Sequence, residues 1–182
     1  RDRGGAHRPK HEIAREALDR IIDHTAEWKK AHADTSLELG IFQFSSAVSR
    51  VLAMGVFDGQ KARASLSHIV PSSGTAIGRA LETGFRELYR TGCVRKHILC
   101  VTDGDNTSGP SPDRVARVYH RETQGEVAIH FVAFDTGAKK FRFLEDVNGR
   151  AVEAADGEQL QAQLTEIYDK RILAEAMPAE KE

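Results

Sequence analysis

The 182-residue chain sets 26 lysines and arginines against 27 aspartates and glutamates, with 40% hydrophobic and 29% charged residues. Such a chain suits one globular domain able to bury roughly 70% of its unfolded surface, and its near-neutral balance supplies no global field for nucleic acid or anionic membrane. No run approaches the roughly 18 apolar residues of a membrane span, and two cysteines, Cys93 and Cys100, make no disulfide framework.

Ile13, Ala17, Ile21 and Trp28 recur on one stripe, widened by Ala14, Leu18 and Ile22, and predict a helix from about Lys10 to Ala31 with Pro9 at its first turn. Residues 37–44 alternate as a strand. A tight turn at Ser45-Ser46 leads into a second strand over 48–54, so the two are expected as antiparallel neighbours at an edge. A helix follows over about 59–69, then the loop Pro71-Ser72-Ser73-Gly74, then a helix from Thr75 to Tyr89 buried through Ile77, Leu81, Phe85 and Leu88.

The apolar run Ile98-Leu99-Cys100-Val101 reads as a strand over 97–102, followed by turn formers over 105–112 and a helix over 112–123. Residues 127–134 are almost continuously apolar, as in a strand covered on both faces. A short helix over 141–147, a strand over 150–154 and a helix over 157–173 complete the pattern. The reading is one domain over 1–173 with a polar tail over 174–182. Strands alternating with helices imply an α/β fold: a doubly wound, Rossmann-like, mostly parallel sheet with helices on both faces.

The chemistry concentrates where strand ends meet loops. Thr102-Asp103-Gly104-Asp105 leaves the strand over 97–102, and Ser73-Gly74-Thr75-Ala76-Ile77-Gly78 opens a helix. Ligands collect outside the carboxyl ends of strands in open α/β sheets. A carboxylate, Asp103, and a hydroxyl, Thr75, converging there are hard oxygen donors suited to Mg²⁺, Mn²⁺ or Ca²⁺ rather than zinc. The plainer alternatives are that Thr75 is a helix N-cap and Asp103 a turn residue. Asp105 and Asn106 are either supporting hydrogen-bond partners of the site or ordinary turn chemistry, and Ser45 and Ser46 sit near the same edge. His7 and His11 mark a polar helix start, and His130 reads as a packed core histidine. The basic spots at Arg90–Lys96 and Lys139-Lys140-Phe141-Arg142 read as helix-end and loop cations.

Taken in order, Phe44-Ser45-Ser46, Ser73-Gly74-Thr75-Ala76-Ile77, Val101-Thr102-Asp103-Gly104 and Gly149-Arg150-Ala151-Val152 with Ala155-Asp156 resemble a von Willebrand factor A domain over nearly the whole chain. The Gly-Thr-Ala-Ile-Gly and Thr-Asp-Gly-acidic-Asn strings are most like bacterial A domains of the aerotolerance-operon type. The resemblance implies a metal-ion-dependent adhesion site built from three loops: Asp-x-Ser-x-Ser after the first strand, then a Thr, then an Asp. Thr75 and Asp103 match the second and third.

No Asp-x-Ser-x-Ser occurs in this sequence, and no apolar strand precedes the first helix. Two accounts stay open. Asp2-Arg3-Gly4-Gly5-Ala6 is a degenerate first loop with Asp2 its only ligand, or the strand and its motif lie upstream of Arg1; the second is preferred. The implied function is a non-enzymatic protein-interaction module. It would bind an acidic side chain of a partner through Mg²⁺, or Mn²⁺ or Ca²⁺, with a MoxR-type AAA+ ATPase or a membrane-associated assembly as candidate partners.

Two rivals remain. Asp103-Gly104-Asp105-Asn106-Thr107 also matches the Asp-x-Asp-x-Thr string of Mg-dependent haloacid-dehalogenase phosphatases, although about a hundred residues precede it. A scaffolding A domain with a degenerate metal site is the other. Residues 1–5, Arg-Asp-Arg-Gly-Gly, contain no apolar signal region and assign no compartment.

Overall fold

The computed structural model describes residues 8–176. Its elements in chain order are α1 (Lys10–Ala31), β1 (Glu38–Phe44), β2 (Val48–Val56), α2 (Gly59–Ser65), α3 (Ile77–Leu88), β3 (Lys96–Thr102), α4 (Pro112–Glu122), β4 (Val127–Phe134), β5 (Gly149–Ala154) and α5 (Gly157–Ile167). The alternating β1 and β2 pair antiparallel, from Glu38 opposite Val56 to Phe44 opposite Val48. β3, β4 and β5 form a parallel sheet in that order.

Helices cover both faces. Ile77, Leu81 and Phe85 of α3, with Val115 and Ala116 of α4, pack on Val127, Ile129, Phe131 and Ala133 of β4. Ala17 and Ile21 of α1, with Leu160, Leu164 and Ile167 of α5, pack on Val132 and Phe134 from the other side. The period-2 alternation of a strand thus supplies two cores from one apolar run. A third cluster seats Ile22 of α1 and Ala62 of α2 against Leu39, Ile41 and Leu52 of the hairpin.

Among the described residues no strand joins the two sheets: β1 and β3 each pair on one side only. α1 and α3 bridge them, α1 through the adjacent residues Ile21 and Ile22, and α3 by packing against Phe44 and Met54 as well as Cys100. Burial records this. Every residue of β1 is half-buried, and in β3 only Cys100 and Thr102 are buried, whereas seven of the eight residues of β4 are. The pattern is that of a doubly wound sheet whose middle strand is not among the described residues.

Several boundaries differ from expectation for identifiable reasons. α3 starts at Ile77 rather than Thr75, because the Thr75 carbonyl accepts the amides of Thr107 (2.8 Å) and Ser108 (3.3 Å) instead of beginning the helical ladder. α2 ends at Ser65 and tightens into a 3₁₀ turn, Leu66–His68. The helix expected over 141–147 is a 3₁₀ segment, Ala138–Asp146, broken at Phe141 (φ −110°, ψ 19°). α5 runs on through a π-helical turn, Tyr168–Leu173, into Ala174–Ala176, so helical structure continues three residues into the stretch read as a tail.

That extension has a partner. Glu175 Oε2 lies 3.2 Å from His97 Nε2, and His97 Nδ1 lies 3.3 Å from His130 Nε2, so two imidazoles from adjacent strands and a carboxylate meet beneath the end of α5. Burial, then the neighbouring His97, Arg150 and Arg171 charges, push His130 down to about 4. Burial also lowers His97, against the raising influence of Glu175. Cys100 is buried, and burial pushes its thiol up to about 12.

Two predictions follow from these contacts. A Cβ on Gly78 would run into the carbonyl oxygen of Pro110. Gly78→Ala, which in an open helix would stabilise by about 1 kcal/mol, should instead destabilise by roughly 1–3 kcal/mol in urea unfolding. A stabilised variant would show that this approach does not constrain α3. The second prediction concerns His130, whose folded-state pKa lies below its unfolded value near 6.5. The unfolded chain therefore binds more protons between pH 6.5 and 4. Stability from the neutral imidazole is complete above 6.5 and is lost as pH falls toward 4, by up to about 3 kcal/mol. His130→Val should flatten the pH dependence of the urea midpoint across this window, and an unchanged slope would remove His130 as its source.

Candidate functional site

The carboxyl ends of β1, β3 and β4 and the first turns of α1 and α3 meet at one edge. The loop before α3 is tied to the end of β1 by the Ser46 amide, which donates to the Ser73 carbonyl at 3.1 Å. Gly74 adopts φ +88° there, and a Cβ on it would meet the Ser46 backbone nitrogen at 2.9 Å, so the close approach requires glycine. The Ser108 hydroxyl donates to the Ser46 carbonyl at 3.3 Å, which brings the loop after β3 to the same place.

The loops carrying Thr75 and Asp103 are stitched to each other. The Thr75 amide donates to the Thr107 hydroxyl at 2.9 Å, and the Thr75 carbonyl accepts from Thr107 and Ser108. Asn106 Oδ1 accepts the Gly78 amide at 3.2 Å while its Nδ2 donates to the Pro110 carbonyl at 3.2 Å. Thr75 is therefore not the cap of α3: the N-cap position is Ala76, which has no capping side chain, and a carboxamide from the neighbouring loop satisfies one of the orphan amides. The Thr75 hydroxyl is turned to Asp103's loop, since a methyl group on Gly104 would stand 3.5 Å from Thr75 Oγ1.

Asp103 does not stand alone. The Lys10 ammonium lies 3.3 Å from Asp103 Oδ2 and 3.0 Å from Asp135 Oδ2, bridging the carboxyl ends of β3 and β4. All three side chains are about half exposed. The hydrogen bond to Asp135, opposed by partial burial and aided by Asp103, raises the Lys10 pKa above its usual value. Asp135 follows β4 as Asp103 follows β3, and it holds a left-handed backbone (φ 53°) with its amide donating to the Ala154 carbonyl at 2.7 Å.

Of the residues singled out in the sequence, Thr75 and Asp103 come to one edge, with Ser45 and Ser46 beside them. Asp2 and His7 lie outside the described residues. Asp105 pairs with Lys140 at 3.0 Å, and Asn106 holds the two loops together. Asp135 and Lys10 were missed. The signal for Asp135 was present, because a carboxylate right after an apolar parallel strand is the same pattern that singled out Asp103. Nothing local marks Lys10.

No group of three or more His, Cys, Asp or Glu side chains among the described residues forms a metal cage. The edge offers instead a carboxylate and hydroxyls, a hard and weakly charged donor set, and it already draws a cation in the form of the Lys10 ammonium. Oxygen donors of this kind are the chemistry that a hard divalent cation takes.

The family model for the von Willebrand factor type A domain matches residues 7–167. No curated protein matches. Among solved structures, an aerotolerance-related membrane protein from Bacteroides fragilis is similar with a TM-score of 0.67 at 16% identity, over 91% of this chain and 90% of that one. The vWF domain of the type V pili tip protein Mfa5 from Porphyromonas gingivalis gives 0.70 at 11% identity, over 95% and 91%. Proximal thread matrix protein 1 from the mussel byssus, with a zinc-occupied MIDAS motif, gives 0.67 at 16% identity, over 87% of this chain and 42% of that one. This chain thus spans less than half of the mussel protein. At such identities the likeness is one of fold, and it agrees with the ordered loops and the parallel sheet. With the family model extending over most of its length, the chain belongs to the von Willebrand factor type A domain family.

Proposed function

We propose that this A domain binds a protein partner through a divalent cation at the edge where Thr75 and Asp103 meet. The observation that carries the reading is the stitching of these two loops by Asn106 and Thr107, which holds the loop bearing the Thr75 hydroxyl against the loop bearing the Asp103 carboxylate. Asp103 would supply negative charge and Thr75 a neutral oxygen to such an ion, a donor set that would leave room for an acidic side chain of the partner as a further ligand. When bound, the ion supplies that coordination bond. The chain's own residues position the donors and leave the edge open. The reaction class is binding, with no nucleophile and no general base.

The reading includes a strand carrying Asp-x-Ser-x-Ser between β1 and β3, where both strands leave an edge unpaired and α1 and α3 already cover the faces. Mg²⁺ is the ion of first choice for an all-oxygen set, with Mn²⁺ and Ca²⁺ as alternatives, and Asp2 is the donor if the first loop is degenerate. A MoxR-type AAA+ ATPase and a membrane-associated assembly are the candidate partners. The likeness to an aerotolerance-related membrane protein supports the second, and the likeness to a pilus tip domain supports adhesion in general.

Partner binding should vanish in EDTA and return with Mg²⁺ or Mn²⁺, and Asp103→Ala should abolish it while the unfolding midpoint stays nearly unchanged, because the side chain is half exposed. Thr75→Ala should weaken binding at a stability cost of less than about 0.5 kcal/mol, since its hydroxyl caps no helix. Binding indifferent to EDTA and to Asp103→Ala would transfer recognition to another face and favour the scaffolding reading. With Mg²⁺ and a generic phosphomonoester the protein should release no phosphate. Turnover lost in Asp103→Asn would replace the binding module by a phosphatase of the haloacid-dehalogenase kind.

A further inference from the structure

Lys10 stands where a helix tolerates a cation least. It is the first residue of α1, at the positive end of the helix dipole, where a positive side chain is disfavoured. Pro9 precedes it as an N-cap without any capping side-chain hydrogen bond, so no local capping arrangement calls for a lysine here. What holds the ammonium is distant in sequence: Asp103 at 3.3 Å and Asp135 at 3.0 Å, each delivered by the carboxyl end of a parallel strand. β3 and β4 are paired neighbours in register through Thr102 and Ala133, which brings the two carboxylates to adjacent strand ends. Without a cation between them they repel.

We propose that Lys10 is a tethered counter-cation of this edge: it neutralises the Asp103–Asp135 pair when no divalent ion is present, and a divalent ion binding Asp103 must displace it. The inference rests on the reading of Asp103 as a metal donor and adds to it the residue that sets the threshold for metal. An ammonium and a doubly charged ion on the same carboxylate repel, so each excludes the other from Asp103. On displacement the ammonium keeps Asp135 as its partner, and the first turn of α1 is released from β3. Metal occupancy is thereby coupled to the position of the helix that lies across both sheets.

The test compares Mn²⁺ binding, read from the electron paramagnetic resonance of free Mn²⁺, in the wild type, Lys10→Met and Asp103→Asn. Methionine keeps the helix-forming side-chain length and removes the charge, and thermal unfolding followed by circular dichroism verifies that the fold is retained. Exposed ion pairs are weak and only the one to Asp103 is given up when the metal binds, so Lys10→Met should bind Mn²⁺ roughly two- to fivefold more tightly than the wild type. Lys10→Arg, which keeps the charge, should stay near the wild type. Hydrogen exchange supplies a readout independent of affinity: Mn²⁺ or Mg²⁺ should speed amide exchange in the first turn of α1 in the wild type and leave it unchanged in Lys10→Met. Binding abolished by Asp103→Asn yet equal or weaker in Lys10→Met would overturn the counter-cation role alone. No saturable binding in either the wild type or Lys10→Met would overturn it together with the metal reading. Binding seen in Lys10→Met but undetectable in the wild type would support it most directly.

Discussion

The architecture depends on two helices that each lie across a discontinuity. Strand pairing normally makes a sheet one body, yet here no ladder among the described residues connects the hairpin β1–β2 to β3–β4–β5. Cohesion comes from apolar contact instead. Ile21 and Ile22 of α1 face different clusters although adjacent in sequence, and α3 rests on Phe44 and Met54 on one side and Cys100 on the other. Apolar packing is strong but non-directional, so it fixes proximity better than register. Register at the edge is supplied by polar contacts: Ser46 to Ser73, Ser108 to Ser46, Thr75 to Thr107, and Asn106 to Gly78.

This division of labour explains why the edge is so rich in small polar residues. Each loop there offers short side chains and open backbone groups, which bond across loops rather than within them. Asn106 shows the economy of this arrangement, since its carboxamide satisfies an orphan amide of α3 and a carbonyl of its own loop at once. Gly74 and Gly78 permit the approach, one facing the backbone of Ser46 and the other the carbonyl of Pro110. Thr75 and Asp103 lie on neighbouring loops because the residues flanking them hold the backbones together, and neither side chain is needed for that.

Much of this was legible in the chain. The apolar run over 127–134 announced a strand covered on both faces, and Ser45-Ser46 between alternating segments announced the hairpin. Asp103 and Thr75 came forward as candidates by a topological rule, that ligands gather at strand carboxyl ends. The start of α3 was misplaced because Thr75 looks like an ideal cap when read locally, whereas its backbone is engaged by a loop some thirty residues downstream. Lys10 escaped for a related reason, since an ion pair between the start of the first helix and the ends of two strands has no periodic signature, whereas Asp135 carried the same strand-end signal as Asp103 and was passed over. Glu175 belonged to a stretch whose polarity suggested fraying, and its position is set by the π-helical turn before it, which shifts the phase of the side chains that follow. Tertiary contacts decide such cases, and short-range pattern does not contain them.

The burial of Cys100 carries a practical corollary for the dynamics of the edge. Its sulfur sits in β3 two residues before Thr102, and the raised pKa of its buried thiol keeps it protonated and unreactive at neutral pH. Cys93, the other thiol, is half-buried in the segment before β3. An alkylating reagent therefore modifies Cys100 only in molecules where β3 has transiently come away from α3. With reclosing faster than labelling, the ratio of its modification rate to that of an unfolded thiol gives the free energy of that opening directly. The native protein thus contains, in one atom of the strand that delivers Asp103, a gauge of how often this half of the molecule separates from the helix that bridges the sheets.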